Sequence, residues 1–255
     1  MEVTFLGVGE ACDERYPNTS VLVRGGERTV LLDCGFSVPG GFFSQVQDAD
    51  ALDAVWISHF HGDHFFGLPQ LLLRLFETGR KKPLYLVGQS GIDKIVLQAM
   101  ELAYPSFYKK FGYEFRFVPL EPGQEQDLLG LSWQGAVNKH SQLDLALCLQ
   151  MDEKRLYFSG DGRPTPQAAD MAKGCDLMIH EGFLLKGQIH GHGSVEDSLD
   201  FAREAGVTKL AIVHLQRDER RREEAALRAR LEAVTFCQAF LPVPGDLIRV
   251  EPCET

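Results

Sequence analysis

Ser58-His59-Phe60-His61-Gly62-Asp63-His64 follows directly on the apolar run Ala54–Ile57. It leads into Phe65–Phe76, where Leu68, Leu71, Leu72, Leu75 and Phe76 recur at helical spacing. The pattern predicts a buried strand, a tight turn, and a helix over Phe65–Phe76 with one buried face. His59 and His61 are two apart, so a chain leaving the strand in extended form turns both to one side. Asp63 and His64 fall at the entry to the helix and can address a second point nearby. Imidazole and carboxylate together suit zinc and other borderline divalent metals. Four such groups within six residues would be an unusual accident on an exposed turn, so H-x-H-x-D-H reads as a metal-binding motif.

Outward from this stretch, Val3–Leu6, Ser20–Val23 and Thr29–Leu32 are short apolar runs bounded by Gly, Asp or Asn, and they read as strands beside Ala54–Ile57. Leu84–Val87 reads as a further strand and Ile92–Leu102 as a helix. The stretch from Tyr113 to Phe158 returns to strands. Beyond it the pattern alternates: helix Pro166–Ala172, strand Asp176–His180, helix Val195–Glu204, strand Lys209–His214, helix Arg222–Ala233. Two blocks of strands, each accompanied by helices, predict an α/β fold, a four-layer αββα sandwich. No repeat, low-complexity tract or Pro/Gly-rich linker divides the chain, so residues 1–255 are expected to form a single domain.

The chain carries 26 basic against 36 acidic residues, a net charge of −10. A protein that grips a large nucleic-acid surface usually has the opposite balance. Six cysteines, at 12, 34, 148, 175, 237 and 253, stand singly with no C-x-x-C pair. They suggest neither a disulfide framework nor a cysteine zinc site, and reduced thiols suit the cytoplasm. Met1-Glu2-Val3-Thr4-Phe5-Leu6 has no basic leader and reads as the first strand. No apolar run is long enough to cross a bilayer. The expectation is a cytoplasmic protein with no membrane partner.

H-x-H-x-D-H after a buried strand resembles the signature of the metallo-β-lactamase superfamily. Further stretches resemble ribonuclease Z motifs, in that family's order. They are Asn18-Thr19-Ser20 with Leu31-Leu32-Asp33-Cys34-Gly35, Gly160-Asp161-Gly162-Arg163-Pro164, His180-Glu181-Gly182-Phe183 and Val213-His214-Leu215. The resemblance runs from Met1 to about Arg217. It implies an αββα sandwich holding two divalent metal ions, Zn2+ first and Mn2+ or Fe2+ as alternatives, which activate a water molecule.

Carried over position by position, the resemblance implies one metal held by His59, His61 and His140 and the other by Asp63, His64 and His214, with Asp161 bridging them. Asp63 would also orient the water or accept its proton. Read singly, His140 and Asp161 are ordinary turn residues, and His214 is a strand-end histidine of a kind often merely hydrogen-bonded. The first cluster lifts all three. The resemblance also pairs Glu181 with His192, in His192-Gly193-Ser194, as a carboxylate that keeps oriented and charged an imidazole that protonates the leaving group. His190 is the competing position, but the 22 residues from His192 to His214 match the family's interval. Zinc β-lactamases generally do without this acid, so it points to phosphodiester cleavage. A homodimer is implied as well.

In one respect the chain departs from the tRNA-maturing members. Those carry a Gly- and Pro-rich basic arm between the third and fourth motifs, which grips the tRNA. Here His140 and Asp161 are only 21 residues apart. A hairpin fills the gap, Leu143–Gln150 and Arg155–Ser159 with Asp152-Glu153-Lys154 at its turn. Gly162 and Gly182 stand where the family usually has Thr and Ala. With the acidic balance, these departures point to small or flexible phosphodiesters as substrates. Three other readings stay open: a ribonuclease Z-type 3′ tRNA-processing endonuclease helped by a dimer partner's surface, a hydrolase of carboxylic esters, thioesters or lactones at the same metals, and a non-catalytic metal-binding protein. The complete ligand set argues against the last. An oxygen-reducing di-iron site would usually have Glu in place of His61. Arg163 and Arg217 flank candidate ligands and could meet substrate phosphates. The run Arg217–Arg222 is mixed in sign and reads as the solvated approach to a helix beginning at Arg222.

Overall fold

The computed structural model describes residues 1–250 apart from Gln188; Cys253 lies outside them. The first half runs β1 (Glu2–Gly7), β2 (Ser20–Gly25), β3 (Arg28–Leu32), α1 (Val38–Gln45), β4 (Ala54–Ile57), a single turn α2 (Gly62–Phe65), α3 (Leu68–Glu77), β5 (Leu84–Gly88), α4 (Ile92–Ala103) and β6 (Phe115–Pro119). Next come β7 (Glu125–Leu128), β8 (Leu131–Lys139), β9 (Leu145–Met151), β10 (Lys154–Phe158) and β11 (Arg163–Pro164). The chain continues with α5 (Pro166–Ala172), β12 (Leu177–Glu181), α6 (Val195–Ala205), β13 (Lys209–Val213), α7 (Arg217–Glu232), β14 (Gln238–Phe240) and β15 (Leu247–Arg249).

The strands form two sheets, ordered β15-β1-β2-β3-β4-β5-β6 and β11-β8-β9-β10-β12-β13-β14, with β7 pairing to β8. Each sheet contains antiparallel neighbours and then runs of parallel strands, β3 to β6 in one and β10, β12, β13 and β14 in the other. Parallel neighbours need long crossovers, and the chain supplies them as helices.

Strand β4 shows how the layers are built. Ala54 and Trp56 turn into a core between the sheets, where they join Trp133, Leu147 and Phe158; the rings of Trp56 and Trp133 stand 6.5 Å apart. Val55 and Ile57 face the other way, under Phe42 of α1, Leu71 and Leu75 of α3 and Val96 of α4. On the outer face of the second sheet, Tyr157 and Met178 carry Ala168, Leu199 and Leu227 of α5, α6 and α7. A strand covered on both faces is apolar at every position, which is why Ala54–Ile57 shows no alternation. The order is helices, sheet, sheet, helices: a four-layer αββα sandwich. Emptying one fully buried position, as in Leu71→Ala, costs about 2–5 kcal/mol.

Some boundaries differ from the sequence expectation. The helix expected over Phe65–Phe76 is two pieces, α2 and α3, parted at Phe66-Gly67. Gly67 passes hard against the chain after β3: its N–H donates to the Cys34 carbonyl at 2.8 Å, and a Cβ there would lie 2.2 Å from the Gly35 oxygen. Pro69, in the first turn of α3, suits a fresh helix start. The last long helix begins at Arg217, not Arg222, so the charged run lies inside it. The strand expected over Asp176–His180 is shifted one residue, and that expected over Lys209–His214 stops at Val213. The hairpin is β9 and β10, closed through Asp152 and Glu153, both with positive φ. No helix among the described residues is long and apolar enough to cross a membrane.

Candidate metal centre

Parallel strands leave their carboxyl ends at one edge of the sandwich, and the candidate residues collect there. Asp33 follows β3, and Ser58 to His64 follow β4. His140 follows β8, Ser159 to Asp161 follow β10, Glu181 ends β12 and His214 follows β13. The structure brings all seven candidate ligands together in two groups that share one residue: His59, His61, His140 and Asp161, and then Asp63, His64, His214 and Asp161. His59, Asp63, His64, Asp161 and His214 are buried.

Their separations test whether they fit a metal. Donors 2.0–2.1 Å from a tetrahedral ion stand about 3.3–3.4 Å from one another. In the first group His61 Nδ1 lies 3.0 Å from His59 Nε2 and 3.1 Å from His140 Nε2. In the second, His64 Nε2 and His214 Nε2 are 3.4 Å apart, and Asp63 Oδ2 is 3.3 and 3.2 Å from them. Asp161 faces both groups. Its Oδ1 lies 3.4 and 3.5 Å from His64 and His214, and its Oδ2 lies 3.8 and 4.0 Å from His59 and His140. That Oδ1 is buried without a hydrogen-bond partner among the described residues. Lone pairs crowded on a common point repel one another unless a cation sits among them, so this donor set fits divalent metal ions.

The charge states differ between the two groups. Burial, reinforced by neighbouring imidazoles, pushes His59 down to about 3 and His61 down to about 4, which keeps both in the neutral form that ligates. Burial is the largest single effect on His64 and His214 and would lower both, but Asp161 together with Asp33 for His64 and Asp63 for His214 outweighs it and raises both. Asp63 and Asp161 lie below the usual carboxylate range despite burial. Hydrogen bonds from His214 and His64 hold Asp63 there, and the charges of the same two rings hold Asp161.

Each candidate imidazole must also be aimed. His64 Nδ1 donates to Asp33 Oδ2 at 2.7 Å, and the same carboxylate accepts the N–H and hydroxyl of Ser58, both at 2.8 Å. His59 Nδ1 lies 2.9 Å from Asp144 Oδ1, with both side chains fully buried. His140 Nδ1 donates to the Gly191 carbonyl at 2.6 Å. Such partners fix the tautomer and the ring plane of a ligand. Asp33 and His214 are non-glycine residues with φ of 56° and 57°, a backbone cost of roughly 1–3 kcal/mol each. Sequence reasoning gave Asp33 no role and missed Asp144. The available signal was a charged residue at the end of an apolar run in Leu31-Leu32-Asp33, and between leucines in Leu143-Asp144-Leu145.

Beside the second group lies the Glu181–His192 pair. Glu181 is fully buried and accepts three N–H bonds: from His192 Nδ1 at 2.9 Å, and from the backbones of Gly162 at 2.6 Å and Gly193 at 3.1 Å. Burial and the charge of Asp161 raise its pKa well above the usual carboxylate range, against the pull of the His214 charge and the backbone N–H groups of Gly193 and Gly162. A group that accepts three N–H bonds and donates none has the bonding pattern of the carboxylate. Phe183 stacks on the His192 ring at 4.5 Å, a contact sequence reasoning did not find. Two residues on, Ser194 and Asp197 form a reciprocal cap that starts α6 and fixes the loop. His180, next to Glu181, points to the opposite face and stacks on Tyr157, as strand alternation requires. His190 is exposed and belongs to none of the candidate groups.

Arg217 is tied to Glu10 at 2.7 Å. In the rest of the charged run, Arg221 meets Glu14 and Asp218, Arg222 meets Glu219 and Glu223, and Arg220 is buried over the Tyr16 ring. Arg163 has no carboxylate within 4.0 Å among the described residues. Its chain lies against Gly193, where a Cβ would meet its Cγ at 3.4 Å. Between His140 and Asp161 there is the β9–β10 hairpin and no arm.

Comparison with known proteins agrees with this architecture. The family model described as Anti-Pycsar protein Apyc1 matches residues 1–233. Ribonuclease Z of Metallosphaera sedula is 25% identical over 284 residues, spanning 95% of this chain and 96% of that protein. Among solved structures, human short-form tRNase Z superposes with a TM-score of 0.76 at 22% identity, covering 99% of this chain and all of that one. The metallo-β-lactamase fold protein YhfI of Bacillus subtilis also reaches 0.76 at 22% identity, covering 97% and 98%. At these identities the two structures speak for the fold.

Proposed function

The chain belongs to the Anti-Pycsar protein Apyc1 family and is a metal-dependent hydrolase of the ribonuclease Z-like branch of the metallo-β-lactamase superfamily; from that premise we propose that it is a dinuclear phosphodiesterase of small or flexible phosphodiesters. Its ligands on this reading are His59, His61 and His140 for one ion and Asp63, His64 and His214 for the other, with Asp161 between them. Zinc suits this nitrogen-rich set best. Divalent ions, if held by these residues, would supply Lewis acidity that polarises a phosphoryl oxygen and lowers the pKa of water.

The chain's own residues do the rest. Asp63 orients the attacking water and accepts its proton. His192 hands a proton from Nε2 to the departing oxygen, and Glu181 holds its Nδ1–H so that Nε2 points to the reaction. Phosphate esters with alkoxide leaving groups need such a donor. The 2.9 Å Glu181–His192 bond beside the shared Asp161 is the observation that carries the choice of phosphodiesters over lactams, thioesters or lactones.

Substrate size follows from what lies away from the reacting centre. A large substrate is aligned by remote contacts, and between His140 and Asp161 the chain has only a hairpin. A net charge of −10 opposes a polyanion over the remaining surface. A second reading, 3′ processing of tRNA, is favoured by the similarity to ribonuclease Z, and would need a second copy of the chain to supply the missing contacts. The test is kcat/KM at one metal and salt concentration for aryl phosphodiesters, cyclic nucleotides, pre-tRNA, lactones and thioesters. Small phosphodiesters are expected to lead. A pre-tRNA preference above about a hundredfold, about 2.7 kcal/mol of transition-state binding, would replace this reading with the second.

A further inference from the structure

The partners of His59 and His64 are alike in kind but not in reach. Asp33 holds His64 and the neighbouring Ser58, all from the first sheet. Asp144, at the start of β9, holds residues from three separate segments. Its Oδ1 is 2.9 Å from His59 Nδ1 and accepts the backbone N–H of Asp161 at 3.1 Å. Its Oδ2 accepts from the Asn138 side-chain amide at 3.1 Å, and the same amide donates to the Ser159 carbonyl at 2.6 Å. The packing leaves no slack: Gly160 has φ +60°, and a Cβ on it would lie 2.5 Å from Asp144 Oδ1.

We propose that Asp144 is the positioning residue that sets the metal affinity of the His59, His61, His140 and Asp161 group. An Asp144 oxygen 2.9 Å from Nδ1, beside Ser58 Oγ at 3.0 Å, favours the tautomer protonated there and leaves the His59 lone pair on Nε2, facing His61 and Asp161. Accepting the Asp161 N–H fixes the loop from which that carboxylate reaches across. Bonding to Asn138 ties both to the strand that ends at His140. Asp33 does the equivalent for His64 and touches His59 only through Ser58, so the first group leans mainly on Asp144 and the second on Asp33. This inference rests on the reading of His59 and Asp161 as ligands.

The test is zinc affinity, measured by chelator competition on the wild type, Asp144→Asn, Asp144→Ala and Asp33→Asn, with circular dichroism as the check on folding. The wild type is expected to take up two equivalents. The Asp144 variants should weaken one of them by about 10- to 100-fold, more for Ala than for Asn, and weaken the other, which shares only Asp161, much less. Asp33→Asn should weaken the other one. Equal weakening of both equivalents by Asp144→Ala, or no weakening, would overturn the proposal while leaving the dinuclear reading intact. A wild type that takes up no zinc would remove that reading and this inference with it. Should the Asp144 variants not fold, the metal-loaded wild type still decides. The His59 Nδ1 proton should appear as a slowly exchanging resonance in its proton–nitrogen spectrum, and its absence beside a visible His64 counterpart would refute the proposal.

Discussion

Replacing Glu181 by Gln keeps the shape of the side chain and reverses one of its hydrogen bonds. Oε1 accepts two backbone N–H groups, those of Gly162 and Gly193, so the amide oxygen must take that position. The amide nitrogen then stands where Oε2 was, 2.9 Å from His192 Nδ1. Donor meets donor unless His192 gives up its Nδ1 proton and becomes an acceptor. The ring then can no longer be held as an imidazolium, and one charge-assisted bond is lost in a fully buried position, about 1.5–3 kcal/mol. For a chain of this size that lowers Tm by roughly 3–6 °C. The catalytic effect should be larger and selective: loss of a general acid slows turnover about 10²–10⁴-fold when the leaving group is an alkoxide. A nitrophenolate leaves with little protonation and should be affected much less. The assay is kcat on an alkyl and a nitrophenyl phosphodiester of matched structure, with metal content checked in both proteins. Equal losses on the two substrates, with metal retained, would refute the proton-donor role of the Glu181–His192 pair.

His192→Ala should behave in the same direction, with unchanged metal content and a loss concentrated on poor leaving groups. A larger loss from His190→Ala would count against the assignment. Metal uptake should depend on pH with a definite sign. Asp161 with Asp33 raises His64, and Asp161 with Asp63 raises His214, so in the metal-free protein both rings bind protons that a metal must displace. Zinc affinity should therefore keep climbing with pH past about 6.5, where an ordinary histidine levels off, and a profile flat above that pH by chelator competition would contradict the raised pKa of the second group.

Residues that act through their immediate chain neighbours were the legible ones. His59, His61, Asp63 and His64 announce themselves because a buried strand, a turn and a helix start follow one another within a few residues. His140, Asp161 and His214 were legible only through a family resemblance, since each alone is an ordinary strand-end residue. Asp144 was not legible, because its partners His59 and Asp161 come to it from another sheet and another hairpin end. The same holds in the fold. Val38–Gln45 carries a proline and two glycines, a poor helix by propensity, and it is helical because Val38 and Phe42 pack on the first sheet. The first turns of α7 hold almost no apolar residues. Arg220, buried over Tyr16 with its guanidinium donating to the Pro242 carbonyl, takes a core position that apolar periodicity cannot reveal.

The central claim is a pair of metal ions held by seven side chains that share Asp161. Its most direct test is a metal count. The chain is reconstituted with zinc, freed of excess, and assayed by mass spectrometry beside a His64→Ala, His214→Ala double variant. Two ions per wild-type chain and one in the variant are expected, because the variant's His59, His61, His140 and Asp161 group is untouched. No retained metal in the reconstituted wild type, or as much in the variant as in the wild type, would contradict the claim.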